Sequence, residues 1–300
     1  MAGRISRRAF LLGAGTVGAV AVATAAGVRS GRIPARTIWN DLTGACGDRG
    51  PIPPSPGWPS VQGSFRSATV AGPVGYAVVT PPGLARRDAP VAVLLPGRSG
   101  SAEDTMTSTC FPGFLAEALA SGAVGPFALA SVDGGASYWH RRTSGEDRMA
   151  MLVRDLLPML ARRYGLARGP VALVGWSMGG YGALLAAEEH PTTFAAVAAA
   201  SPAIFQSYDD MRAGPGDAFD SADDFAAHDV IAGAARLARI PVRVDCGTAD
   251  PFYANDRAFA AALPTAPEGS WFRGCHDGDS WRVVAPAQIA FLGRALAASS

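Results

Sequence analysis

The chain has no lysine: all 26 of its basic residues are arginine, set against 25 acids for a net charge of +1. There is no basic stripe and no acidic tail, so the electrostatic footprint of a nucleic-acid binder is missing and no nucleic-acid partner is expected. Cysteine is scarce, with only Cys46, Cys110, Cys246 and Cys275 and no C-x-x-C pair. Cys275 and His276 are neighbours and cannot easily turn toward one ion, so the sequence offers no obvious metal-ligand set and no metal or other cofactor is expected. Internal repeats and low-complexity tracts are also missing. The 36 glycines and 23 prolines are spread along the chain and read as turn punctuation. What is present is 300 residues with 49% hydrophobic content, enough for one large domain with a two-sided sheet. Abundant arginine and alanine match the codon bias of a GC-rich bacterial genome.

Residues 1–27 differ from the rest. Arg4, Arg7 and Arg8 precede Phe10-Leu11-Leu12 and an apolar run that ends in small residues near Ala26. This is the layout of a cleavable export signal, and Ser6-Arg7-Arg8-Ala9-Phe10-Leu11 resembles the twin-arginine type read by a dedicated export machinery. The apolar stretch, about 16 residues and rich in glycine, is shorter than the roughly 20 a stable membrane span needs. Processing would leave 23 arginines against 25 acids, a net charge of −2, and a secreted or cell-envelope protein. Residues 28–60, rich in Pro and Gly, read as an irregular arm ahead of a catalytic domain at 61–300. An even cysteine count in an exported protein favours disulfides. Cys246 and Cys275 each end an apolar run and are expected to pair with each other, which leaves Cys46 with Cys110.

Past residue 60, short apolar runs alternate with longer amphipathic ones. Val74–Thr80 alternates like an antiparallel strand, while Val91–Leu95 is continuously apolar and stops at Pro96-Gly97, as a strand buried on both faces does. Phe127–Val132, Val171–Val174, Ala195–Ala200, Val242–Cys246 and Trp271–Phe272 repeat the pattern. Helices are predicted over Phe114–Ser121, Glu146–Tyr164 with a kink at Pro158, Gly179–Glu189, Ala254–Leu263 and Val283–Ala298. The alternation implies a mostly parallel sheet covered by helices on both faces, an α/β architecture with its site at the carboxyl ends of the strands. Residues 203–238 contain no clear strand and read as an insertion above the sheet.

Gly175-Trp176-Ser177-Met178-Gly179 contains the G-x-S-x-G pattern, which is weak alone. Context strengthens it, because an apolar strand precedes the serine and an alanine-rich helix follows it. A sharp strand-to-helix turn would lift Ser177 Oγ above the sheet and aim the helix N-terminus at the reaction centre. The Met178 N–H would then be one oxyanion donor. The loop Leu95-Pro96-Gly97-Arg98-Ser99-Gly100 would supply the second, with the Arg98 N–H as the candidate.

In such folds the acid and then the base follow the serine. His140 precedes Ser177, His190 ends its helix, and His228 lies in the insertion. His276 follows the final strand between Gly274 and Gly278 and is the candidate base. Asp250, in the loop after Val242–Cys246, is the candidate acid that holds the imidazole tautomer. Asp245 inside the strand and Asp277 beside the histidine are less well placed. Trp139, Trp176 and Trp281 neighbour these loops and are candidates for the wall of an acyl pocket, against the alternative that they are core. Val132-Asp133-Gly134-Gly135 ends a strand at the same rim.

From about residue 74 onward the chain resembles the putative-esterase branch of the α/β-hydrolases, which includes esterase D (S-formylglutathione hydrolase) and the antigen 85 mycolyltransferases. The resemblance rests on Pro96-Gly97-Arg98, Asp133-Gly134-Gly135, Gly175-Trp176-Ser177-Met178-Gly179-Gly180, Cys246-Gly247-Thr248-Ala249-Asp250-Pro251 and Gly274-Cys275-His276-Asp277. It implies the α/β-hydrolase fold, a triad of Ser177, Asp250 and His276, and oxyanion donors at Arg98 and Met178. Asp250 stands where the mycolyltransferases resemble one another in using glutamate, and an export signal separates this chain from the cytosolic formylglutathione enzymes. The expected function is an exported serine carboxylic-ester hydrolase acting on a small-molecule or lipid acyl ester. An acyltransferase using an alcohol acceptor is the alternative within the same chemistry, and a non-catalytic cell-wall or binding protein is the alternative outside it.

Overall fold

Strands β3 (Val91–Leu95) and β5 (Val171–Trp176) are buried along their whole length and lie side by side at the centre of the sheet. A strand with no solvent face needs apolar residues at every position, which both provide. The computed structural model describes residue 40 and residues 43–84, 88–169 and 171–299. The expected export signal at 1–27 lies outside the described residues, as does the start of the arm. Among the described residues no helix is long and apolar enough to cross a membrane.

The remaining strands are β1 (Ser60–Arg66), β2 (Pro73–Val79), β4 (Ala128–Val132), β6 (Phe194–Ala200), β7 (Val242–Gly247) and β8 (Trp271–Phe272). They form one eight-stranded sheet in the order β1-β2-β4-β3-β5-β6-β7-β8. β1 pairs antiparallel with β2, and β2 with β4; every later pairing is parallel. This is the α/β-hydrolase fold. Strand alternation splits the core in two. Val93, Leu95, Leu173 and Val197 face one side, while Ala92, Leu94, Val174 and Ala198 face the other.

On the first side pack α5 (Met178–Glu189) and a helical run made of α3 (Arg148–Ala150), a π-helical stretch (Met151–Leu156) and α4 (Leu157–Tyr164). The expected kink at Pro158 takes the form of that π stretch. The wider turn just upstream accommodates a residue that has no N–H and crowds the preceding carbonyls. On the other side lie α1 (Ala102–Ser108), α2 (Phe111–Ala120) and α10 (Gly278–Ala298). The alanine-rich β6 lets α5 and α10 both approach closely. Residues 203–238 contain no strand; they form α6 (Tyr208–Ala213), α7 (Ala222–Ala227), α8 (Val230–Gly233) and a 3-10 turn (Ala234–Leu237), after which α9 (Tyr253–Ala262) follows β7. α6, α7 and α8 are capped by Ser207, Ser221 and Asp229, whose side chains accept from first-turn N–H groups.

The described part of the arm, up to β1, has few regular elements and straps the loops beyond β7 and β8. Arg273 Nη2 donates to the Gly44 carbonyl at 2.5 Å, Asn40 Nδ2 donates to the Ala249 carbonyl at 3.4 Å, and Gly50 N–H donates to the Asp279 carbonyl at 2.9 Å. The disulfide follows this strap: Cys46 bonds Cys275, and Cys110 and Cys246 are free thiols. Both expected pairings are therefore corrected. Cys246 sits on β7 with its buried thiol beside Asp256 of α9, turned away from Cys275. The acid and base loops are instead joined by backbone bonds from Thr248 N–H to the Phe272 carbonyl (2.7 Å) and from Ala249 N–H to the Gly274 carbonyl (3.0 Å).

Two predictions arise from this packing. Alkylation of the unreduced, denatured protein will modify two thiols, Cys110 and Cys246, and reduction beforehand will raise that to four. Intact mass and peptide mapping read the result, and labelling of Cys46 without reductant contradicts it. The second concerns Glu188, buried in the last turn of α5 against Gly233, where burial pushes its carboxyl up to about 8 from 4.5. A raised folded-state value means the fold holds the proton more tightly than the unfolded chain does. Stability is thus greatest below the unfolded value and falls as pH rises toward 8, by up to about 1.4 kcal/mol per pH unit. Urea unfolding of Glu188→Gln should show an advantage over the parent that grows by a few kcal/mol between pH 5 and pH 8; a constant difference contradicts it.

Candidate active site

Ser177 joins β5 to α5 with φ 54° and ψ −124°, a backbone conformation that an L-residue adopts only when its surroundings force it. The surroundings are backbone on all sides. A Cβ on Gly175 would fall 2.2 Å from the Gly179 carbonyl oxygen, and one on Gly179 would fall 1.9 Å from the Leu95 carbonyl oxygen. Both glycines of the motif are thus required by close approach. The turn is held by Ser177 N–H donating to the Ala200 carbonyl (3.1 Å), and by Tyr181 and Ala203 N–H groups donating to the Ser177 carbonyl (3.1 and 2.9 Å).

Three residues chosen from the sequence meet at the carboxyl end of the sheet. Ser177 Oγ lies 2.8 Å from His276 Nε2, and His276 Nδ1 lies 2.8 Å from Asp250 Oδ2. A carboxylate only accepts, so Nδ1 carries the ring proton and Nε2 offers its lone pair to the serine hydroxyl. Asp250 is buried, and its other oxygen accepts from Phe252 N–H at 2.9 Å, which fixes the carboxyl. Cys275 N–H donates to Ser280 Oγ at 2.7 Å, and the Cys46–Cys275 bond lies next to the base in the chain.

The other acids serve elsewhere. Asp245 is fully buried and takes both bonds of the Arg243 guanidinium at 2.7 and 2.8 Å, while Asp277 caps α10 through Ser280 N–H. Asp256 is a neighbour that sequence reasoning missed. Burial raises its carboxyl well above its ordinary value, and the nearby Asp250 raises it further. Its polar letter inside the helical run Tyr253–Ala262 gave no sign of which face it took.

The loop after β3 runs beside the serine. A Cβ on Gly97 would touch Ser177 Cβ at 3.7 Å. Ser99 N–H donates to the Gly135 carbonyl (2.6 Å), and Gly134 N–H donates to the Gly100 carbonyl (3.1 Å), so this loop is braced by Asp133-Gly134-Gly135. Asp133 itself accepts from Gly75 and Ala102 N–H groups, both at 2.9 Å, and so buttresses the rim. Among the described residues neither the Arg98 N–H nor the Met178 N–H has a hydrogen-bond partner.

The tryptophans divide. Trp139 is fully enclosed with its ring over Gly182, and Trp176 is buried edge-on to Phe111 at 5.1 Å, so both belong to the core and neither has surface free to line a pocket. Trp281 is half-buried and meets His276 edge-on at 5.3 Å, with Phe252 at the same distance from that ring. The other histidines stand apart: His190 ends α5, and His140 lies against His228 of the insertion.

The family profile described as putative esterase matches residues 68–273. No curated protein sequence matches the chain. Among solved structures it is similar to a ferulic acid esterase, at 19% identity and a TM-score of 0.69 over 79% of this chain and 98% of that one. It is similar also to an S-formylglutathione hydrolase from Agrobacterium tumefaciens (17%, 0.66, 79% and 95%) and to MPT51 of Mycobacterium tuberculosis (21%, 0.64, 81% and 99%). Identities this low establish the shared fold, and the family follows from the profile. With most of its length matched by that profile, the chain belongs to the putative-esterase family, as an esterase-type hydrolase on the α/β-hydrolase fold.

Proposed function

We propose that the protein is an exported serine carboxylic-ester hydrolase that works through an acyl-enzyme on Ser177. The observation that carries this reading is the continuous chain Ser177 Oγ–His276 Nε2, His276 Nδ1–Asp250 Oδ2, with both links 2.8 Å long. His276 takes the hydroxyl proton as Ser177 Oγ attacks the ester carbonyl, and Asp250 stabilises the imidazolium that forms. The Arg98 and Met178 N–H groups, without a hydrogen-bond partner among the described residues and beside Ser177, receive the oxyanion. Collapse expels the alcohol, which leaves with the proton from His276. Water then repeats the sequence on the acyl-enzyme and returns free serine and the carboxylic acid.

Trp281 and Phe252, on either side of His276, are the apolar surfaces best placed to meet the substrate. Extracytoplasmic residence is supported by the twin-arginine-like start and by the Cys46–Cys275 disulfide, a bond that persists in oxidising compartments. No step calls for a cofactor.

Turnover of p-nitrophenyl esters from acetate to palmitate tests the assignment. Ser177→Ala should lower kcat by about 10⁴–10⁶-fold and Asp250→Asn by about 10⁴-fold. The chain-length profile will report pocket size, and an added alcohol that diverts product to a new ester would convert the reading to acyl transfer. Absence of turnover with every ester, together with no fluorophosphonate labelling of Ser177, would sink the hydrolase reading.

A further inference from the structure

Three of the four histidines lie away from Ser177, and two of them meet a carboxylate. His140 follows β4 on the body of the fold, whereas Asp224 and His228 sit on and just beyond α7 of the insertion, four residues apart and hence on one side of the helix. One ring nitrogen from each histidine and one oxygen of Asp224 lie within 4.8 Å of one another. His140 is 1% exposed, its ring stacked on Phe219 at 4.9 Å and set against His228 at 4.5 Å.

Hydrogen bonding fixes what His140 presents to the acid. Its Nδ1 faces the Tyr138 carbonyl at 3.1 Å, and a carbonyl only accepts, so that nitrogen carries the proton. Its Nε2 lone pair then faces Asp224 Oδ2 at 3.2 Å. His228 places its Nδ1 at 2.8 Å from the Asp224 carbonyl and at 3.1 Å from Asp224 Oδ1. Two electron-pair donors turned on each other inside the protein repel unless something positive lies between them. Their separation is close to the roughly 3.3 Å edge of a tetrahedron with ~2.0 Å metal–ligand bonds.

We propose that His140, His228 and Asp224 form a binding site for a divalent metal ion of the zinc type, separate from the esterase centre. Two imidazoles and one carboxylate are a donor set suited to zinc. The Tyr138 carbonyl orients His140 in the way an outer-shell acceptor orients a metal-bound imidazole. A cavity of about 200 Å³ lined by His140, His228, Glu189, His190 and Asp147 adjoins the cluster and leaves room for a water as the fourth ligand. The ion would staple the insertion to the body, where two further clasps act: Arg142 on Asp220 at 2.8 Å and Arg98 on Asp217 at 2.6 Å. The role is structural, and it stands whether or not the esterase reading does.

The test is zinc binding by the chelator-treated protein, followed by calorimetry, with cobalt(II) absorption as a second readout. One equivalent should bind the parent protein and also His276→Gln. Asp224→Asn, which keeps the side-chain shape, and His228→Gln should each weaken binding at least 100-fold and abolish the visible cobalt bands, with circular dichroism checking that each is folded. Ester turnover is not the readout, so an inactive enzyme that binds zinc leaves the site standing. Failure of the parent protein to bind zinc would mean that a proton on His140 Nε2 fills the gap and would overturn the proposal. So would zinc binding unchanged in both variants, or lost in His276→Gln, which would place the ion elsewhere.

Discussion

The contact on which the structure turns is the one between Gly179 and the end of β3. The first turn of α5 lies so close to the Leu95 carbonyl that no methyl group fits between them, and Gly175 meets Gly179 with the same lack of space. Adjacent parallel strands run about 4.8 Å apart, so a helix that starts at the end of β5 must cross the end of β3 almost at once. That crossing forces Ser177 into a conformation costing on the order of 1–3 kcal/mol. A helix buried along nearly its whole length and three backbone bonds around the turn offset the cost. The same crowding brings Gly97 against the serine and leaves the Arg98 and Met178 amides without partners among the described residues. The proposed nucleophile and the proposed oxyanion donors thus both follow from one packing constraint.

Legibility from sequence followed the strength of the physical signal. The central strands could be read because burial on both faces demands unbroken apolar runs, and β3 and β5 have them. β1, an exposed edge strand of mixed residues, gave no alternation to read, and α1 is a short helix with a polar sequence. Ser177, Asp250 and His276 could be picked out because topology restricts where an acid and a base can follow the serine, and the structure brings the three within hydrogen-bond distance. The disulfide could not be read that way. Proximity of Cys246 to Cys275 was right at the level of strands, but side-chain direction decides pairing, and Cys246 points into the core. Trp139 and Trp176 failed as pocket residues for the same reason: adjacency in sequence to a functional loop does not say which way a ring turns.

The loops bearing Asp250 and His276 are held from two directions. Backbone bonds between Thr248–Ala249 and Phe272–Gly274 join them to each other, and the arm before β1 clamps them from outside through Cys46, Gly44 and Gly50. A hydrogen-bonded pair tolerates little displacement before it is lost, so a histidine that must hold its bonds from a loop needs such bracing. The segment with the least regular structure therefore contributes to the placement of the residue with the strictest geometric demand.

His276 and His140 show how one chemical group is offered to two different partners. At His276 and at His140 alike, an acceptor on Nδ1 holds the proton there and leaves Nε2 as a lone pair. What differs is the atom opposite. A hydroxyl lies across from His276 Nε2 and can give up a proton, as the proposed role of that nitrogen as base requires. A carboxylate oxygen lies across from His140 Nε2 and has none to give, which is the position the proposed ion would take. Residue type does not separate the two rings; the partner's capacity to donate does. That capacity is set by which strands and insertions bring the chain together, and so it becomes readable only once the fold is known.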